Sequence, residues 1–285
     1  MSGLLLVLDA TTPIGRAVVE QALRADRPVL AASLDYAGLR EIKADHRKAD
    51  LVLLPGSIAD AAAATALATE VQSLDRPLSA VVMAAACAPR RSRLLDIDDA
   101  ALLAQLREEV LPHLAAARML LPVLAASGRN GSYTVIGGPG GEQPWAGYGL
   151  RSVAAAATRM LLRVLHDEAR ALSVRLQLLS VEMPARTDDN AEHACAHWPS
   201  ARAIAERALA LSDPQRWREP AEAVVRFAWN AAPPPPDRRA VHASPAPSPR
   251  LLDDTWRALR PLLMAEAGET AALRESDSPD NNDKN

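Results

Sequence analysis

Apolar residues fall into short unbroken runs that alternate with stretches of helical spacing. Leu4–Leu8 is an apolar run bounded by turn residues, as a strand buried on both faces would be. Ile14–Arg24 follows with Ile14, Val18, Ala22 and Leu23 on one side of a helix. The alternation continues with strands predicted at Pro28–Ala32, Ala49–Leu54, Leu78–Ala84, Gly131–Ile136 and Val174–Val181. Helices are predicted between them at Asp35–Ala44, Ala59–Val71, Asp98–Ala126 (broken near Pro112) and Gly147–Ala171. Strict β–α alternation predicts right-handed crossovers and an α/β fold with a doubly wound parallel sheet.

Beyond the sixth strand the pattern weakens. Ser200–Leu211 and Pro220–Asn230 read as two more helices, and Ala240–Ala243 as a last strand. The Pro233–Pro236 run reads as a stiff connector. The expected organisation is one domain over residues 1–245, a helical C-terminal extension over 246–272 carrying Leu251–Ala267, and a polar tail over 273–285 that is expected to be disordered.

Bulk properties narrow the function classes. Hydrophobic content of 49% with 24% charged residues is that of a soluble globular protein. A net charge of −3 without a basic block gives no drive toward nucleic acid or an anionic membrane. Aromatics at 3% are too few for a base-stacking surface. Cys87 and Cys195 make no disulfide framework, and no leader or spanning segment stands out, so a cytoplasmic location is expected.

Candidate chemistry begins after the first strand. That loop reads Leu8-Asp9-Ala10-Thr11-Thr12-Pro13-Ile14-Gly15-Arg16. A second stretch reads Tyr148-Gly149-Leu150-Arg151-Ser152. In order along roughly residues 4–245, these resemble the T-G-x-x-x-G-x-G loop and the Y-x-x-x-K helix of the short-chain dehydrogenase/reductase family. Leu78–Cys87 resembles the strand that ends N-N-A-G there, and here it ends Met83-Ala84-Ala85-Ala86. Ser132–Gly138 resembles the strand carrying I-S-S, and here it reads Ile136-Gly137-Gly138. Val174–Thr187 is similar to the segment ending P-G-x-x-x-T, with Glu182-Met183 in place of P-G and with Pro184 and Thr187 kept.

The resemblance implies a Rossmann-like fold, NAD(P) and carbonyl chemistry, yet most of the functional residues differ. Of the glycine loop only Gly15 remains. Asp9 takes the first position and Pro13 the second, or Thr12 in the related G-x-x-G-x-x-G spacing. Thr12 and Pro13 are well suited to the cap and first position of a helix. A carboxylate at ~4 Å from a phosphate charge costs on the order of 4 kcal/mol at an effective dielectric near 20. Asp35 stands where an acid would take the adenosine ribose, and otherwise reads as a helix cap. Ser57 stands at the family's adenine-contacting Asp.

Carried over residue by residue, Tyr148 matches the catalytic tyrosine. Ser152 replaces the lysine, Glu109 the asparagine and Gly138 the serine. A free tyrosine titrates near ~10, so only ~0.1% is phenolate at neutral pH. Ser152 supplies no charge to lower that value, and Arg151 is one residue off, about 100° around a helix. The segment between Gly138 and Tyr148 is about three residues shorter than the family's spacing. Tyr148 therefore also reads as a helix-terminal aromatic packed on Trp145.

The expectation is a non-catalytic relative with no or weak cofactor binding, acting as a subunit or binding protein. The alternative is an NAD(P)-dependent oxidoreductase using Tyr148 in a non-standard site. The family's dimer bundle implies a homodimer, or a heteromer with an active relative, through the Ala-rich helices near 109–126 and 148–171. His193, Cys195 and His197 share a face only if extended, and would need Glu192 or Asp188 as a fourth ligand, so a lid or surface loop is expected there rather than a metal site.

Overall fold

Seven parallel strands form one sheet among the described residues, in the order β3-β2-β1-β4-β5-β6-β7. They are β1 Leu4–Leu8, β2 Val29–Ser33, β3 Leu51–Pro55, β4 Leu78–Met83, β5 Ser132–Gly137, β6 Arg175–Ser180 and β7 Val224–Arg226. The computed structural model describes residues 3–84, 90–128, 130–213 and 221–229. All of them lie within the first of two units, Met1–Pro233.

The unbroken apolar runs are strands because both of their faces are covered. In β1, Leu4, Leu6 and Leu8 enter one core, and Leu5 and Val7 the other. The first core is closed by α3 (Ala61–Ser73), α5 (Leu111–Ala126) and α6 (Gly149–Ala171). The second is closed by α1 (Pro13–Arg24), α2 (Tyr36–Asp45) and α7 (Ala201–Leu211). Chain order reverses between β1 and β4, which puts a crevice at their C-terminal ends.

One expectation is corrected, and others are bounded by what the structure describes. The helix expected over Pro220–Asn230 is instead the edge strand β7, with Leu178, Leu179 and Ser180 of β6 paired to Val224, Val225 and Arg226. The local sequence is compatible with a helix, but the free edge of β6 offers a ladder of backbone partners that a helix would leave unmet. The helical stretch over 98–126 is broken near Pro112 as expected, with α4 (Asp99–Glu109) and α5 parted at Val110. The strand expected at Ala240–Ala243, the 245 boundary, the helix over Leu251–Ala267 and the tail all lie outside the described residues.

The stretch Asp99–Ala126 is long and apolar enough to cross a bilayer by length and composition. Here Ala116, Leu120 and Leu124 of α5 are fully buried in the first core.

Candidate functional site

The first strand leaves the sheet through a left-handed residue. Asp9 has φ +54°, a conformation that glycine adopts freely and that aspartate tolerates better than most residues. The Thr12 side chain accepts from Gly15 N at 3.1 Å, and Pro13 opens α1. A Cβ on Gly15 would stand 2.3 Å from the Asp9 carbonyl, so helix and strand meet there as the glycine loop requires.

The same contacts occupy part of the loop's donors. Thr12 N donates to Asp9 O at 3.1 Å, Gly15 N goes to the Thr12 hydroxyl, and Pro13 has no N–H. The Thr12 hydroxyl donates to the carbonyls of Asp9 and Ala84, at 2.8 and 3.1 Å. Asp35 caps α2, accepting from Gly38 N at 2.9 Å. Backbone N–H groups free to cradle a diphosphate are few, and Asp9 adds a carboxyl. Burial raises that carboxyl above its ordinary value, which marks it as poorly solvated. These residues do not fit the diphosphate of NAD(P).

Beside this loop lies a cavity of about 280 Å³. Asp9, Thr12, Ser57 and Met83 line one end, and Gly137, Gly138, Ser180 and Glu182 the other. Glu108, Glu109, Pro112 and His113 close it from α4 and α5, and Arg151, Ala155, Thr158 and Arg159 from α6.

Two guanidiniums are held in that wall. Arg151 Nη1 donates to Glu109 Oε2 at 2.7 Å, with the side chains 16% and 5% exposed. Gln105 donates to the other Glu109 oxygen at 2.7 Å, and Thr158 to the Glu109 carbonyl at 3.3 Å. Arg159 Nη1 donates to Ser180 Oγ at 2.9 Å and lies 3.6 Å from Glu182, while its Nη2 reaches Glu142 at 3.4 Å. Ser180 in turn hydrogen-bonds Glu182.

Behind these, Met83 Sδ touches His113 Nδ1 at 3.0 Å and the Tyr133 hydroxyl at 3.8 Å. Burial, with the positive charge of Arg151 second, lowers His113 to about 4, so the ring is neutral at physiological pH. Burial, then the Asp9 charge, raises Tyr133 above its ordinary value.

Of the residues expected from sequence, Asp9, Thr12, Glu109 and Gly138 line this cavity. Tyr148 and Ser152 do not. Tyr148 sits at the N-terminal boundary of α6 with its ring stacked on Trp145, centroids 4.2 Å apart. The Ser152 hydroxyl donates to Tyr148 O at 3.0 Å and accepts from Trp145 N at 2.9 Å. The helix presents Arg151 and Ala155 to the cavity, and Tyr148 and Ser152 lie outside its lining. Gly138 fits this arrangement, because a Cβ there would stand 2.8 Å from Arg151 Nη2.

Sequence reading set Arg151 aside and passed over Arg159 and His113. The spacing of Arg151, Ala155 and Arg159, each four apart, was the available signal of a shared helix face. Ala84 is buried, donating its N–H to Leu8 O at 3.2 Å. His193, Cys195 and His197 are exposed in a turn, and no group of three or more possible metal ligands is gathered among the described residues.

A family model described as enoyl-(acyl carrier protein) reductase matches residues 10–232. No curated protein matches the chain. Among solved structures, the apo short-chain oxidoreductase of Pseudomonas aeruginosa containing an atypical catalytic centre has a TM-score of 0.70 at 18% identity, covering 79% of this chain and 95% of that one. Its NADPH-bound structure has a TM-score of 0.69 at 19% identity, with 79% and 95% coverage. An oxidoreductase of the short-chain dehydrogenase/reductase family from Burkholderia thailandensis has a TM-score of 0.68 at 21% identity, with 79% and 91% coverage.

Proposed function

The chain belongs to the short-chain dehydrogenase/reductase family, and on that premise we propose that it is a non-catalytic member, a binding protein built on the old reaction cleft. One observation carries this reading. The cavity wall where a phenol and a lysine would act holds the Arg151–Glu109 ion pair, while the phenol of Tyr148 is stacked on Trp145 away from the cavity. A guanidinium titrates above ~12, so it is a poor proton donor to a forming alkoxide at neutral pH. The carboxyl and the partly occupied donors of the loop after β1 add to this, since both weaken a dinucleotide's hold.

The partner surface we propose is the outer face of α4, α5 and α6, where a second copy or an active relative would dock. Leu103, Leu111, Val153, Met160 and Val164 are exposed there. Val153, Met160 and Val164 recur at spacings of seven and four, one stripe of α6.

The test is titration of the purified chain with NADH and NADPH, followed by turnover assays on aldehydes and ketones. No saturable cofactor binding at tens of micromolar and no turnover are expected. Turnover at ordinary enzymatic rates would overturn the reading. A second reading is an NAD(P)H-dependent reductase in which Arg151 polarises the carbonyl. It is favoured by the guanidinium's position beside Gly138, and gains some support from the NADPH bound to the atypical Pseudomonas protein. Under it, Arg151→Met abolishes turnover and Tyr148→Phe leaves it intact.

A further inference from the structure

Arg151 does not use all of its donors. Nη1 is held by Glu109, but among the described residues Nη2 and Nε donate no hydrogen bond. Nη2 points at the open flank of Gly138, on the cavity wall. Neither nitrogen is sealed from solvent, so an acceptor on a ligand can replace water at this edge. Two turns on, Arg159 lines the same cavity, but its charge is met by Glu142 and Glu182. Met83, Val135 and Leu178 give that space an apolar lining. Its volume of about 280 Å³ can take a small acid.

We propose that this cavity binds a small organic carboxylate, whose two oxygens meet the free edge of Arg151 while its apolar body lies along Met83, Val135 and Leu178. The inference rests on the reading of the cleft as a binding site. A planar guanidinium matches a carboxylate in two parallel hydrogen bonds. Asp9, Glu108, Glu109 and Glu182 also line the cavity and oppose an anion, so the hold on the ligand is local to the free edge of Arg151. A doubly charged phosphate would meet repulsion from Glu109 and Glu182 in proportion to its larger charge.

The probes are benzoate and its neutral isostere benzamide, titrated into the full chain by calorimetry or ligand-observed NMR. Benzoate is expected to bind at least tenfold more tightly than benzamide. Arg151→Met should lose that preference, and Arg151→Lys, which keeps the charge without the fork, should weaken benzoate several-fold. Glu109→Gln should strengthen benzoate several-fold, because it removes the opposing charge and keeps a hydrogen-bond acceptor for Arg151. Equal affinity for the two probes in the wild-type chain overturns the proposal, whatever the folding of the variants. Weaker benzoate binding in a folded Glu109→Gln variant also overturns it. NADPH turnover would sink the non-catalytic reading alone, whereas failure of benzoate would sink the carboxylate site alone.

Discussion

Arg151 and Glu109 are joined at 2.7 Å across the gap between α6 and the end of α4, in a space nearly closed to solvent. Neither side chain can be removed without leaving the other with an unmatched charge. Replacing Glu109 with Leu is expected to lower the unfolding free energy by about 3 kcal/mol, the cost of breaking a buried pair. Glu109→Gln should cost about 1 kcal/mol, since a neutral acceptor remains. Urea denaturation of the two variants measures the difference.

Gly138 and Arg151 compete for the same volume, with 2.8 Å between a Cβ on the first and Nη2 of the second. Gly138→Ser, which restores the family's hydroxyl, should push the guanidinium aside and weaken benzoate by about tenfold, roughly one charge-assisted hydrogen bond. It should not create reductase activity. Calorimetry alongside an NADPH assay checks both.

Tyr148→Phe should leave stability within about 0.5 kcal/mol and ligand binding unchanged, because its hydroxyl lies outside the cavity. Trp145→Ala, which removes the stacked ring, should cost about 1 kcal/mol. Thermal unfolding of the pair separates a packing aromatic from a chemical one.

His113 is buried and lowered to about 4 from an ordinary 6.5, so the unfolded chain takes up its proton first on acidification. The stability that its neutral form confers is full above pH 6.5 and is lost as pH falls toward 4, by about 3 kcal/mol in all. A His113→Leu variant should lack that part of the acid slope. Unfolding midpoints at intervals from pH 7.5 to 4 give the measurement.

Asp9 titrates in the opposite sense. Burial raises its folded value, so the protonated form favours the fold below the ordinary 3.8, and this is lost as pH rises through the folded value. Asp9→Asn, which tolerates the same left-handed backbone, should raise the unfolding midpoint at pH 7 and lose that advantage near pH 3. Asp9→Gly should also raise NADP affinity, by up to about a thousandfold if one close charge contact is removed.

The six strands from β1 to β6 were legible because burial on both faces writes itself as largely apolar runs such as Leu4–Leu8 and Leu78–Met83. The caps Thr12 and Asp35 were legible because capping is local chemistry. β7 was not, because Val224–Arg226 becomes a strand only through the distant edge of β6. The cavity was half legible. Asp9, Thr12, Glu109 and Gly138 line it, whereas the Y-x-x-x-K resemblance points to Tyr148 and not to Arg151, which lies on the wall. Which side of a helix looks inward depends on where its first turn is anchored, and that is set by tertiary packing.

The connection over residues 139–147 is tied to the start of α6, where Trp145 N meets the Ser152 hydroxyl and the indole covers the Tyr148 ring. The phenol is thereby clamped outside the chamber, and what α6 offers the interior passes to the guanidiniums of Arg151 and Arg159.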